Sequence, residues 1–102
     1  MAVSRKILLV DDDTDLREAL AEQLVMIDEF DVYEADTGAT GIERAKGEMH
    51  DLVILDVGLP DMDGREVCRQ MRRQGVKAPI IMLTAHVSDS VQILGLDSGA
   101  ND

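Results

Sequence analysis

Short apolar runs alternate with amphipathic stretches along the 102-residue chain. Lys6 to Val10, Asp31 to Ala35, Leu52 to Leu55 and Pro79 to Leu83 read as strands. All but the second are nearly continuous apolar runs, the pattern of central parallel strands covered on both faces. Asp13 is placed to cap a helix carrying Leu16, Leu20, Leu24 and Ile27 on one side. Thr37 is placed to cap a second, using Ala39, Ile42, Ala45 and Met49 and weakened by Gly41 and Gly47. A third is expected from about Gly64 to Arg73 with Val67, Cys68 and Met71 inward, and a fourth from Ser88 or Asp89 to a stop at Gly99. This alternation predicts an α/β fold with right-handed crossovers between parallel strands. It also puts a fifth strand at about residue 103, so residues 1–102 are expected to be one domain truncated at its C-terminus.

Composition narrows the function. Ten Lys and Arg against twenty-one Asp and Glu give a net charge of −11, which argues against direct binding of nucleic acid. With 45% hydrophobic and 30% charged residues the chain is globular rather than disordered. Cys68 stands alone, so no internal disulfide forms and a reducing compartment is expected. The longest strongly apolar runs are too short for a membrane span or a signal peptide, which makes the expected location cytoplasmic.

The candidate chemistry sits at the carboxyl ends of the strands, where open α/β sheets bind ligands. Asp11, Asp12 and Asp13 follow the first strand, Asp56 the third and Thr84 the fourth. Carboxylates converging there repel on the order of 4 kcal/mol per pair at 4 Å with an effective dielectric of 20. A bound cation relieves that repulsion, and an all-oxygen set suits Mg2+. A carboxylate beside Mg2+ is able to attack phosphorus and form an aspartyl phosphate, which makes Asp56 the candidate nucleophile. Thr84 supplies a hydroxyl donor, and the amides after two strand ends, at Val57, Gly58 and Ala85, are placed for phosphoryl oxygens. Asp13 is accounted for by helix capping alone.

At these residues the sequence resembles the receiver domain of bacterial two-component response regulators. Ile7-Leu8-Leu9-Val10-Asp11-Asp12-Asp13 resembles that family's first strand and acidic pair. Asp51 to Gly64 resembles its phosphoacceptor strand and loop, and Pro79 to Ala85 its hydroxyl-bearing strand, with Gly99-Ala100 as the turn before a fifth. The resemblance implies a flavodoxin-like sheet of order 2-1-3-4-5 whose fifth strand, fifth helix, phosphate-binding Lys and switch aromatic lie beyond Asp102. It further implies that Asp56 accepts phosphate from a phosphohistidine, on a sensor histidine kinase or a histidine phosphotransfer protein. Mg2+ would be held by Asp12 and Asp56 directly, by Asp11 mainly through water and by the Gly58 carbonyl. Thr84 would follow the phosphoryl group inward and couple the site to the fourth helix and an output domain, with transcription regulation the expected end. His86 is a candidate for influencing dephosphorylation.

In the expected fourth helix Val87, Val91 and Leu94 form an apolar stripe apart from the core positions, which suggests a partner surface or a homodimer contact. Arg65, Arg69, Arg72 and Arg73 give the third helix a basic face, read as solvated charge. Two other readings compete. One is an Asp-nucleophile phosphatase of the haloacid-dehalogenase type, against which Asp15 stands where that motif needs Thr or Val. The other is an interaction module that is never phosphorylated.

Overall fold

Of the chain, the computed structural model describes residues 4–27, 29–85 and 91–97. Strand β1 (Arg5–Val10) leads into α1 (Thr14–Val25), β2 (Phe30–Ala35), α2 (Gly38–Gly47), β3 (Leu52–Asp56), α3 (Gly64–Arg73), β4 (Ile80–Ala85) and β5 (Val91–Asp97). The expected caps are in place: the Asp13 side chain accepts from Leu16 N at 3.1 Å, and Thr37 Oγ1 from Thr40 N at 3.1 Å. The strands are ordered β2-β1-β3-β4-β5 in one sheet, with β1, β2, β3 and β4 parallel.

That order fixes the layers. The chain steps from β1 to β2 in one direction, then from β2 past β1 to β3 and on to β4 in the other. Right-handed crossovers therefore put α1 on one face and α2 and α3 on the other. The second face holds the main core, where Leu8, Val10, Val53, Leu55 and Ile80 meet Ile42 and Ala45 of α2 and Val67, Cys68 and Met71 of α3. On the first face Ile7 and Leu9 are buried, but Ile54 and Ile81 are only half covered because α1 lies over β1 and β2. The α1 stripe is correspondingly half-buried at Leu16, Leu20 and Leu24, and Ile27 lies beyond the helix, half exposed. Ala39 and Met49, expected inward on α2, are both exposed; the buried face is made by Gly38, Gly41, Ile42 and Ala45, and at Met49 the helix has already stopped at Gly47 with the chain extended at Glu48.

The expected fourth helix is not formed over residues 91–97. Val91–Asp97 is instead β5, antiparallel to β4, pairing Ile81 with Leu96 and Thr84 with Gln92 across an irregularity at Met82 and Leu83. Val91 and Ile93 favour strand, Gly95 disfavours helix, and pairing satisfies the β4 edge that would otherwise be exposed. Only residues 86–90 separate the two strands, and a parallel return needs a dozen or more. The sheet order thus matches expectation, while its fifth place is filled by a segment read as helical. Val91 and Leu94 of the expected helical stripe therefore lie in a strand and not in a helix. Val87 and His86 lie outside the described residues.

One member of the basic face of α3 proves to be a clamp. Arg72 donates to Asp97 Oδ1 at 2.8 Å, to the Asp97 carbonyl at 3.0 Å, and to the carbonyls of Val76 and Ala78 at 2.9 and 2.8 Å. It ties the end of β5 to the turn after α3. Cys68 is buried beneath this contact, with Sγ 3.5 Å from Asp97 Oδ2, and burial pushes its thiol up to about 11. Arg72→Ala is expected to lower stability by roughly 1–2 kcal/mol, after allowance for partial exposure of the ion pair. Urea unfolding measures the loss, and faster amide exchange across β5 distinguishes it from a general weakening.

Candidate metal and phosphoryl site

The strand order reverses at β1 and β3, and there the two strand ends open a crevice. Val10 pairs with Leu55, so Asp11 and Asp12, which follow β1, and Asp56, which ends β3, leave the sheet at the same level. Carboxylate oxygens of Asp11, Asp12 and Asp56 lie within 4.8 Å of one another, the close approach expected from the sequence. Asp11 is 5% exposed, Asp56 half-buried and Asp12 exposed, so the cluster runs from the sheet edge to solvent.

The electrostatics follow from that placement. Burial pushes the Asp11 carboxyl up to about 6; the Asp13 amide, donating to Oδ1 at 2.9 Å, opposes this, and the charges of Asp56 and Asp12 reinforce it. Burial likewise raises Asp56, opposed by the backbone amide of Gly58 and reinforced by the charge of Asp12. Three hard oxygen donors of like charge fit a divalent cation that retains part of its water shell. Among the described residues this is the group of acidic side chains able to hold a metal ion.

Of the other expected site residues, Val57 follows β3 directly and its amide donates to Leu83 O at 2.9 Å. Gly58 is exposed, with the position of its absent side chain 3.9 Å from Asp56 Oδ2. Thr84 and Ala85 end β4, the neighbour of β3, and only their backbone is described. Asp13 caps α1 and is not part of the cluster.

Three residues that sequence reasoning passed over complete the surroundings. Arg17, half-buried, donates to Asp11 O at 2.8 Å and to Glu34 Oε1 at 2.8 Å, fixing the backbone of the acidic turn to β2. Gly64 packs directly on the backbone of Asp56 and Val57. Asp61 reaches from the loop after β3 to the start of α2. An Arg four residues after Asp13 reads as an ordinary helix pair, and nothing local marks the other two.

The fold and this crevice define an α/β receiver with an acidic pocket at its topological switch point. The profile of the response regulator receiver domain matches residues 7–102, and the chain belongs to that family. It is therefore a regulatory receiver and not a turnover enzyme. The alkaline phosphatase synthesis transcriptional regulatory protein PhoP of Bacillus subtilis is 41% identical over 98% of this chain and 41% of its own length. The response regulator MprA of Mycobacterium ulcerans is 42% identical over 98% and 43%. The chain thus spans about two fifths of these relatives. Among solved structures, the receiver of the putative response regulator NarL from Mycobacterium tuberculosis superposes with a TM-score of 0.77 at 28% identity, covering 82% of this chain and 68% of that one. The response regulator TrrA of Thermotoga maritima, in complex with Mg2+ and BeF, gives 0.73 at 33% identity over 82% and 72%. Among the described residues no helix is long and apolar enough to cross a membrane.

Proposed function

We propose that this receiver accepts a phosphoryl group on Asp56 from a phosphohistidine, with Mg2+ held by Asp11, Asp12, Asp56 and the Gly58 carbonyl. The observation that carries the reading is the convergence of three carboxylates within 4.8 Å at the switch point, with Asp56 presented by a strand buried in the core. An Asp56 oxygen attacks phosphorus, the bond from phosphorus to the donor imidazole nitrogen breaks with its electron pair kept by that nitrogen, and the ring, protonated at its other nitrogen, leaves as neutral imidazole. When bound, the ion would offset the charge of the transferring group and of its carboxylate neighbours. Asp11 and Asp12 would hold the ion beside Asp56. The Gly58 and Ala85 amides and the Thr84 hydroxyl are left to receive the phosphoryl oxygens, since the Val57 amide is already given to Leu83 O. The donor is a sensor histidine kinase or a histidine phosphotransfer protein, and the consequence is control of an output domain that regulates transcription, as the name of the B. subtilis relative states for that protein.

Incubation of the protein with Mg2+ and a phosphohistidine donor or acetyl phosphate, followed by peptide mass spectrometry, tests this. Phosphate is expected on Asp56, with transfer abolished by Asp56→Asn and by chelation of the metal. Phosphate on another residue, or transfer that survives both treatments, overturns the reading.

A further inference from the structure

The loop that leaves Asp56 is held at both ends and by its middle. Val57 N donates to Leu83 O, Gly64 N donates to Val57 O, and Leu59 is sunk into the core. A further contact ties it to an element outside the crevice. Asp61 Oδ1 accepts from Gly38 N at 2.8 Å and Oδ2 from Ala39 N at 3.0 Å, 23 and 22 positions away in sequence. Both oxygens of one carboxylate are engaged by the first turn of α2, where unpaired amides and the helix dipole favour an anion. Those two amides hold the Asp61 carboxyl below its usual range. The Thr37 cap already serves Thr40 N, so Asp61 supplies partners that the helix's own cap does not reach.

The contact is tight from the α2 side as well. A Cβ added at Gly38 would lie 2.7 Å from Val67 Cγ2 and 2.8 Å from Met62 Cγ. Helix α2 is itself fixed to the sheet by Ile42 and Ala45 in the core. Residues 57–63 are therefore anchored both to the core and to α2, and the Gly58 carbonyl and amide are carried on that span.

We infer that Asp61 is a positioning residue for phosphoryl acceptance: its grip on the first turn of α2 sets where the Gly58 carbonyl and amide stand relative to Asp56. This rests on the proposed role of Asp56. Asp61 touches neither metal nor phosphorus and acts through the loop. A residue that only capped α2 would change stability and leave metal affinity alone.

The test compares Asp61→Ala, Asp61→Asn and Gly38→Ala with the unaltered protein. Three quantities are read: Mg2+ affinity by calorimetry, the rate of phosphorylation by acetyl phosphate at saturating Mg2+, and amide exchange of residues 57–63 without metal. Asp61→Ala is expected to weaken Mg2+ binding roughly tenfold, the lower end for loss of a group supporting a metal site. It also slows phosphorylation and speeds exchange in the loop. Asp61→Asn, which keeps one acceptor oxygen, recovers part of each effect. Gly38→Ala, which pushes on the same contact from the other side, reproduces the losses. Alanine variants that melt earlier but bind Mg2+ and gain phosphate like the unaltered protein overturn the inference. If the unaltered protein gains no phosphate on Asp56, the proposed function fails, while Mg2+ affinity and loop exchange still decide the role of Asp61.

Discussion

Gly64→Ala is expected to destabilise the fold and disable the crevice in one step. Gly64 is the first residue of α3, it is buried, and its amide donates to Val57 O at 2.9 Å. A Cβ there would lie 2.6 Å from the Asp56 carbonyl oxygen, 2.7 Å from Val57 Cα and 3.2 Å from the Asp56 carbonyl carbon. All three are backbone atoms, so no side chain is free to rotate aside. Either α3 withdraws from the core that Val67, Cys68 and Met71 share with the sheet, or the end of β3 moves. Overpacking of this kind costs about 1–3 kcal/mol where side chains yield, and the upper end applies where backbone must move. A displacement near 1 Å at the nucleophile costs on the order of 100-fold in rate. Denaturant unfolding and phosphorylation kinetics on the same samples check both, and a variant with unchanged stability and rate would show that the close approach is not required.

The second large effect concerns charge. Asp11→Asn is expected to stabilise the metal-free protein at neutral pH and to weaken its response to Mg2+. A carboxyl raised from 3.8 to about 6 on folding is one whose charged form the fold disfavours. Its penalty is full above about pH 6, falls as pH drops toward 3.8, and vanishes below that value. A shift of that size corresponds to roughly 3 kcal/mol, and water reaching the cluster through exposed Asp12 reduces it to an effect of order 1–2 kcal/mol. Asparagine keeps an acceptor for the Asp13 amide and removes the charge. Without metal, the melting temperature of the variant should exceed that of the unaltered protein at about pH 8, with the two converging as pH falls below 6 toward 3.8. Mg2+ binding needs the carboxylates ionised, so its stabilising effect on the unaltered protein should fade through the same range. Equal melting temperatures at neutral pH, or a magnesium effect indifferent to pH, would count against the cluster as a strained ion site.

Burial also pulls His50 below its ordinary value, where its ring lies edge-on to Tyr33 at 5.5 Å between centroids. Its contribution has the opposite sign, since stability from a buried neutral imidazole is lost as pH falls below 6.5. Comparing Asp11→Asn with the unaltered protein at each pH cancels that background.

Much of this architecture was legible along the chain. The caps at Asp13 and Thr37, the inward trio on α3 and the parallel strands came from patterns spanning a few residues. The acidic cluster was legible too, because each carboxylate sits next to the end of an apolar run and parallel sheets align those ends. Beyond the misplaced inward positions of α2, two larger readings failed for identifiable reasons. The 91–97 segment carries apolar residues at helical spacing, but its β-branched positions and a free strand edge nearby favoured pairing. Arg72 read as one of four solvated charges, while its role depends on an aspartate 25 positions away.

By itself the sequence determined the number and order of the first seven elements, the inward face of α3 and the carboxylates at the strand ends. These follow from periodicities of two and 3.6 residues and from capping chemistry, all of which act over one or two turns of chain. Only the tertiary structure decided the partner of β4, the clamps made by Arg17, Arg72 and Asp61, and the need for glycine at 64. Each depends on groups that folding brings within hydrogen-bond or contact distance, and the energy of such a meeting leaves no trace in the local pattern.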